Sequence, residues 1–426
     1  MKIKGGNVYL KGEIEVPGDK SISHRAIMIG ALSDGRTEVH NFLLGKDCLS
    51  TVECFRNMGV NIDIKKNKVF IEGPGLKGLK EPKKTLNVGN SGTTIRLLSG
   101  ILAGQNFTSY ITGDKSIQRR PMDRIITPLR KMGANIKGKD DKFAPLEIRP
   151  SNRLKGITYK QPVASAQVKS CLLFAGLYSE GITKVIQPKI SRDHTERMLK
   201  YFGADIKVTG NEVYIKSGNK LKGKKVIVPG DISSAAFFMV AALILKGSKL
   251  TLKNVGLNET RTGIIDVLKA MGGNIKISNL KTVNNEPIGD IHVKHSKLKG
   301  VTIEGDLIPR LIDEIPIIAV AASVAEGTTI IKDASELKVK ESNRIKAMVD
   351  ELTKMGVDIE EREDGMIIKG NKKLNSAFLK TYADHRIAMS LSIASLYADG
   401  ESELEETDSI AVSFPNFFNL VDKVKS

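Results

Sequence analysis

Lys20-Ser21-Ile22-Ser23-His24-Arg25 brings two cations and two hydroxyls together, after a Pro-Gly turn and before the apolar run Ala26 to Leu32. Ser21 is expected to cap the helix that begins here, leaving backbone N–H groups to face an anion. Lys20 adds charge, and Arg25 suits a two-pronged grip on a carboxylate. Asn90-Ser91-Gly92-Thr93-Thr94-Ile95-Arg96 repeats the design. Its glycine lets a ligand approach the backbone, and the helix start favours negative charge. Arg119-Arg120-Pro121-Met122-Asp123-Arg124 is a third cationic turn. Any one of these is equally well an ordinary capped helix, so the question is whether the fold gathers them.

The elements that must position them recur along the chain. Six apolar, helix-like runs close at Gly35, Gly104, Gly181, Gly247, Gly327 and Gly400, where a left-handed glycine is expected to end each helix. Short alternating stretches such as Thr328-Thr329-Ile330-Ile331 read as strands. A second helical pattern follows and ends at Gly59, Gly133, Gly203, Gly272 and Gly356, each before a hairpin. The sixth copy stops at its helix, Phe417 to Lys425, and Asn7 to Gly12 resembles the missing hairpin strand. The N-terminal strands are therefore expected to complete the last repeat. Residues 1–19 and 229–426 would form one discontinuous lobe and residues 20–228 the other. The equivalent places of these motifs in the repeats favour a shared anion site.

Other chemistries find less support. Gly73-Pro74-Gly75-Leu76-Lys77-Gly78 fits a dinucleotide fingerprint on paper but opens no helix, and it reads as a loop. Neither Gly18-Asp19-Lys20-Ser21 nor Gly113-Asp114-Lys115-Ser116 has the upstream glycine of an ATP-binding P-loop. Cys48, Cys54 and Cys171 form no CxxC pair and read as buried thiols, while His292 and His295 read as surface. No metal is expected. The 426 residues carry a formal charge of +18, but only 5% are aromatic, none is Trp, and the lysines are dispersed, which argues against nucleic-acid binding. The positive field can equally draw small anions. Apolar runs such as Ala235 to Leu245 are too short for a membrane span, and Met1 to Gly5 is no signal peptide, so a cytoplasmic protein is expected.

Gly18 to Arg25, Gly89 to Thr93, Arg120-Pro121-Met122, Lys340-Glu341-Ser342-Asn343-Arg344 and Asp384-His385-Arg386 together resemble the 5-enolpyruvylshikimate-3-phosphate synthase family, in its order, from Val16 to Pro415. The resemblance implies an α/β fold: a two-lobed inverse α/β barrel of six βαβαββ-type repeats, three per lobe, with the active site in the cleft. It implies small-molecule substrates, phosphoenolpyruvate and shikimate 3-phosphate, no cofactor, and a monomer in the pathway of aromatic amino-acid biosynthesis. Lys20, Ser21, Arg25, Ser165, Ala166, Gln167, Asp313 and Lys340 would bind shikimate 3-phosphate. Lys20, Gly92, Arg120, Gln167, Arg344 and Arg386 would bind phosphoenolpyruvate. Asp313 is expected as base, Glu341 as acid, with Lys20 and His385 beside the reacting atoms. Arg192 to Glu196, Ser165 to Lys169 and Asn258 to Arg261 resemble the family's second class, and Ser413 stands where the first class often has lysine before Phe-Pro. The related transferase acting on UDP-N-acetylglucosamine shares the fold, but typically carries Lys-Asn rather than Lys20-Ser21 and a reactive loop cysteine absent here. A noncatalytic anion- or RNA-binding protein would leave Asp313 and Glu341 unexplained.

Overall fold

A computed structural model of the chain describes every residue except 152, 371 and 372. Two short strands, β1 (Lys2–Lys4) and β2 (Lys11–Ile14), precede the first repeat, which runs α1 (Lys20–Leu32), β3 (Asp34–His40), α2 (Lys46–Asn57), β4 (Asn61–Lys65), β5 (Lys68–Pro74). The second is β6 (Leu86–Asn87), α3 (Gly92–Leu102), β7 (Ser109–Thr112), α4 (Lys115–Arg119), α5 (Asp123–Lys131), β8 (Asn135–Lys139), β9 (Phe143–Arg149). The third is β10 (Thr158–Lys160), α6 (Ala166–Gly176), β11 (Ile182–Ile186), α7 (His194–Phe202), β12 (Asp205–Thr209), β13 (Glu212–Lys216). The fourth is β14 (Lys225–Ile227), α8 (Ile232–Ile244), β15 (Lys249–Gly256), α9 (Gly263–Ala270), β16 (Asn274–Val283), β17 (Glu286–Lys294). The fifth is β18 (Thr302–Ile303), α10 (Ile308–Leu311), α11 (Ile315–Val324), β19 (Thr328–Ile331), α12 (Arg344–Lys354), β20 (Asp358–Arg362), β21 (Gly365–Lys369). The sixth is β22 (Phe378–Leu379), α13 (His385–Tyr397), β23 (Glu401–Leu404), α14 (Phe417–Val424).

The chain divides into two compact units, one of Met1–Pro17, Pro229–Thr282 and Pro287–Ser426, the other of Gly18–Val228 with Val283–Glu286. Each unit has its own hydrophobic core. Its sheets share one plan, a parallel edge strand beside the strand that follows the first helix, then the two hairpin strands, as in the order β6-β7-β9-β8. Four repeats supply their own edge strand, while the leading strands of the first and fourth are exchanged: β2 pairs with β15 and β14 with β3. The repeat pattern therefore closes on itself within each unit.

The sixth sheet has three strands, β1-β23-β22, with Lys2 opposite Glu403 and Lys4 opposite Glu401. The completing strand is thus Lys2–Lys4 rather than Asn7 to Gly12, which had looked like the hairpin strand. Tyr9 and Ser426 instead exchange backbone hydrogen bonds of 3.1 and 3.0 Å, and Lys11 begins the edge strand of the fourth sheet. Pairing geometry overrides the local likeness because both segments carry the same alternating pattern.

One long apolar helix of each repeat is buried in the unit's core, and the strands keep one face exposed. Every residue of α8 is buried, and α1, α3, α6, α11 and α13 are nearly so. Strands alternate, as in Glu212–Lys216, whose Val213 and Ile215 are buried. The apolar runs over Ala235 to Leu245 and Ile315 to Ala325 are thus core helices. Among the described residues no helix is long and apolar enough to cross a membrane. Gly100 lets α3 approach α6, since a Cβ there would lie 2.1 Å from the Cys171 carbonyl. Phe414 and Phe417 pack edge-on at 5.4 Å and touch Phe237 and Phe238 of α8, contacts worth about 0.5–1.5 kcal/mol per pair beyond burial.

Five of the six closing glycines do have positive φ, between 84° and 98°. In four repeats they follow an extended cap residue (Ser33, Leu245, Ala325, Ala398) rather than capping the helix themselves. Gly104 is not left-handed; a Cβ there would strike the Tyr178 ring at 2.3 Å, so close packing is what requires it. The glycines that end the second helices, from Gly59 to Gly356, are all left-handed. β5 ends at Pro74 and is followed by turn and loop, so the glycine cluster there opens no helix.

Candidate active site

In the unit built around Gly18–Val228, hydrogen bonds tie together the starts of α1, α3 and α6. Asp19, not Ser21, caps α1, its carboxylate accepting from Ile22 N at 2.8 Å. Both residue types cap well, and Asp19, at φ −56° and ψ 124°, holds the non-helical backbone the position needs. Ser91 caps α3, accepting from Thr94 N, and Ser165 caps α6, accepting from Val168 N. Arg25 joins α1 to α6 and α7: its Nε donates to Thr195 Oγ1 at 2.7 Å and Nη2 to Ser170 Oγ at 3.0 Å, while Nη1 donates to Ser21 O at 2.9 Å. Arg96 joins α3 to α6 through Gln167 Oε1 at 2.5 Å, and Gln167 donates back to Thr93 at 3.2 Å. Three helix N-termini, each with partial positive charge, are thereby held at one end of the unit.

The cations there differ in their partners. Lys20 pairs with Asp47 of α2. Arg120 donates to Asn90 Oδ1 at 3.2 Å. Arg25 is buried, and its hydrogen-bond partners are all uncharged; burial pushes its pKa down to about 10, so it remains a cation at neutral pH. A buried charge without a bonded counter-ion is costly, and it is what an anionic ligand would relieve. Gly92 opens α3, where an added Cβ would lie 2.9 Å from Arg120 Nη1 and 3.3 Å from Arg96 Nη1. Two guanidinium groups and a helix N-terminus thus surround the one residue without a side chain.

α1 and α3 are joined by a relay. His24 Nδ1 lies 2.7 Å from Thr51 Oγ1, Thr51 Oγ1 lies 2.7 Å from Thr94 Oγ1, and Thr94 donates to Ser91 Oγ at 2.7 Å. Burial, then the charges of Lys20 and Arg25, hold the His24 pKa well below its ordinary value. The unfolded chain takes up the proton first, so this contribution to stability is full above pH about 6.5 and is lost as pH falls, by at most about 1.4 kcal/mol per pH unit. His24→Asn is expected to flatten the fall in thermal-unfolding midpoint between pH 7 and 5; equal slopes in the two proteins would refute it.

The other unit places carboxylates at three of its helix starts. Asp231 caps α8 and Asp384 caps α13, and Glu314 lies at the start of α11. Ser233 donates to Glu314, and Arg386 Nη1 lies 3.5 Å from Glu314 Oε1 and donates to the Asp313 carbonyl at 3.0 Å. Arg344 is 1% exposed and meets three carboxylates: Nε to Asp384 Oδ2 at 2.8 Å, Nη2 to Glu341 Oε2 at 2.6 Å and Nη1 to Asp313 Oδ1 at 3.2 Å. Lys340 Nζ also reaches Asp313 Oδ1, at 3.4 Å. Burial opposes the charge on Arg344, but Asp384, Glu341 and Asp313 raise its pKa above the ordinary value. Burial likewise opposes the charge on Asp384, yet Arg344 holds its pKa below the usual carboxylate range. His385, nearly buried, opens α13.

The first unit thus gathers Lys20, Ser21, Arg25, Gly92, Arg120, Ser165, Ala166 and Gln167, and the second Asp313, Lys340, Glu341, Arg344, His385 and Arg386. The family profile described as EPSP synthase (3-phosphoshikimate 1-carboxyvinyltransferase) matches residues 5–421. The chain belongs to the EPSP synthase family. It is 56% identical over 414 residues to the 3-phosphoshikimate 1-carboxyvinyltransferase of Thermoanaerobacter pseudethanolicus, covering 97% of both chains. It is 58% identical over 411 residues to that of Bacillus cytotoxicus, covering 96% of this chain and 97% of the relative. The solved EPSP synthase of Acinetobacter baumannii superimposes with a TM-score of 0.90 at 47% identity, covering 100% of this chain and 99% of that one. The fold class is accordingly the inverse α/β barrel of EPSP synthase.

Beside the expected residues stand others that motif reading passed over. Arg96 lies one helical turn beyond Gly92, and Asp384 precedes the His385-Arg386 pair, so both sit inside quoted motifs. Asp47, Ser170 and Thr195 hold Lys20 and Arg25 from distant segments; Thr195 lies within the Arg192–Glu196 stretch, while Asp47 and Ser170 carry no local signal. Glu196 and His194, in the stretch resembling the second EPSP synthase class, form buried pairs with Lys169 at 2.6 Å and Glu286 at 2.7 Å. The three cysteines are buried and form no disulfide among the described residues. His292 is half-buried between Thr251 and Ser278 rather than a surface group. Among the described residues no group of three metal-ligating side chains occurs.

Proposed function

We propose that this chain transfers the enolpyruvyl (carboxyvinyl) group of phosphoenolpyruvate to the 5-hydroxyl of shikimate 3-phosphate, releasing phosphate, in the shikimate pathway of aromatic amino-acid biosynthesis. The observation that carries the reading is Arg25, a buried cation with only uncharged partners beside three joined helix N-termini. It suits the shikimate carboxylate, with Ser21 alongside and Ser165, Ala166 and Gln167 near the 3-phosphate. Gly92, Arg120, Arg344 and Arg386 take phosphoenolpyruvate, with Lys20 and Gln167 serving both substrates.

Asp313 takes the proton of the 5-hydroxyl as its oxygen bonds to C2 of phosphoenolpyruvate, and Glu341 gives a proton to C3. Lys340 holds the hydroxyls with Asp313, and His385 stands beside the reacting carbons. Glu341, left as a carboxylate by the first step, then takes a proton back from C3 as the C2–O bond to phosphate breaks. The hydroxyl proton held on Asp313 passes to the departing phosphate, and the departing charge is met by Lys20, Arg120, Arg344 and Arg386. These steps balance without an added cofactor. The reading extends to a monomeric cytoplasmic enzyme that does not bind nucleic acid or membrane.

Phosphate release by the purified protein tests it: turnover must require shikimate 3-phosphate. Equal turnover with UDP-N-acetylglucosamine, or none with either acceptor, would overturn it. Within this reading, Gly92→Ala is expected to fold normally, because the crowded atoms are the ends of flexible arginines. Displacing both guanidinium groups should raise KM for phosphoenolpyruvate roughly tenfold, the loss of one charge-assisted hydrogen bond. An unchanged KM would place the ligand elsewhere.

A further inference from the structure

The Asp384-His385-Arg386 segment is reached through backbone that most residues avoid. Asp384 N donates to Thr381 O at 3.0 Å, closing a four-residue turn whose central residues, Tyr382 and Ala383, have φ of 56° and 51°. Positive φ at both centres is the type I′ pattern, suited to Asn and Gly because a Cβ crowds the backbone there. Neither Tyr nor Ala favours it, so contacts outside the turn must hold it. The main holder is Glu351, a fully buried carboxylate on α12. Its Oε2 accepts from Lys380 N and its Oε1 from the Tyr382 hydroxyl, both at 2.9 Å, while Lys354 Nζ donates to both oxygens at 2.7 and 2.8 Å. Thr381 Oγ1 donates to Glu406 O at 2.5 Å. The helix that supplies Glu351 begins with Arg344, which binds Asp384.

We propose that Glu351 is a positioning residue for the reaction: its grip on Lys380 and Tyr382 holds the strained Thr381–Asp384 turn in the conformation that aims His385 and Arg386. The inference rests on the carboxyvinyl-transfer reading. Without the grip, Tyr382 and Ala383 relax toward negative φ. The start of α13 then turns with them, because no residue separates the turn from the helix. The effect falls on the ligand of Arg386, phosphoenolpyruvate, and spares shikimate 3-phosphate.

Glu351→Gln risks misfolding, so the test uses Tyr382→Phe, Ala383→Gly and their combination. Tyr382→Phe removes one bond of the grip and keeps the ring. Ala383→Gly makes positive φ easy and should replace the grip. Tyr382→Phe is expected to raise KM for phosphoenolpyruvate about tenfold, with KM for shikimate 3-phosphate changed less than twofold. The double variant should return within about threefold of the unaltered protein. Backbone hydrogen exchange at residues 384–387 should follow the same order, faster in Tyr382→Phe and restored in the double variant. An unchanged KM and exchange rate in Tyr382→Phe, or a loss that Ala383→Gly fails to recover, would overturn the proposal. If the unaltered protein releases no phosphate, the functional reading falls, and the exchange order alone decides whether the turn is held in this way.

Discussion

Asp313→Asn should leave the protein folded and lower kcat by about 10²–10⁴-fold, the usual worth of a positioned general base. Asparagine has nearly the shape of aspartate and still presents an oxygen toward Lys340 and Arg344, which now lie 3.4 and 3.2 Å from Asp313 Oδ1. Arg386 donates to the backbone carbonyl of residue 313, which the substitution leaves in place, and loses only the charge of Asp313 Oδ2 at 4.0 Å. What the amide cannot do is take the hydroxyl proton. The loss should therefore appear in kcat, with KM for both substrates changed only a few-fold. A kcat within tenfold of the unaltered protein would remove Asp313 from the role of base and leave it as a holder of the acceptor hydroxyls.

Asp384→Ala should cost stability rather than chemistry alone. Asp384 is fully buried and takes two hydrogen bonds from Arg344, of 2.8 and 3.3 Å, one from Ser342 at 3.1 Å and one from Arg386 N at 2.9 Å. Removing one partner of a buried pair typically costs about 3–5 kcal/mol, because the other charge stays behind. The depressed pKa of Asp384 fixes the sign of the pH dependence. Its contribution is fully present above the unfolded carboxylate pKa of about 3.9 and is lost as pH falls through the lower folded value. The stability gap between the two proteins should accordingly be constant near neutrality and close in acid. Urea unfolding read by hydrogen exchange in α12 and α13 isolates the unit concerned. A gap under about 1 kcal/mol at pH 7 would show that Glu341 and Asp313 suffice for Arg344.

The repeats were legible because each fixes a physical necessity in a local pattern. A helix buried all round is apolar all round, and the left-handed endings at Gly59, Gly133, Gly203, Gly272 and Gly356 favour the one residue without a Cβ. The clustering of hydroxyls, a glycine and arginines at the α1 and α3 starts was legible for the same reason, since these residues lie within a turn or two of one another. Three things were not. Which of Asp19 and Ser21 caps α1 depends on a half-turn of backbone that either sequence reading allows. The choice between Lys2–Lys4 and Asn7–Gly12 as the closing strand turns on register against Glu401–Leu404, and alternation alone is blind to register. The partners of the charges, Asp47 for Lys20, Asp384 for Arg344 and Glu351 for the turn at Tyr382, come from elsewhere in the chain. An isolated acid in a sequence looks the same whether it faces water or a buried cation.

The exchanged edge strands also set an order of events during synthesis. Lys2–Lys4 and Lys11–Ile14 leave the ribosome long before their partners, Glu401–Glu403 and Lys249–Leu252. At about 5–20 residues per second, β2 waits on the order of 10–50 s for β15, and β1 longer still for β23. Gly18–Val228, by contrast, contains β3 and β14 and every strand between them. The later-starting unit can therefore close while the earlier strands remain bare edges. Their sequences suit that interval: Lys2, Lys4, Lys11 and Glu13 put charge on alternate positions of both strands, which discourages pairing with the strands of a neighbouring nascent chain.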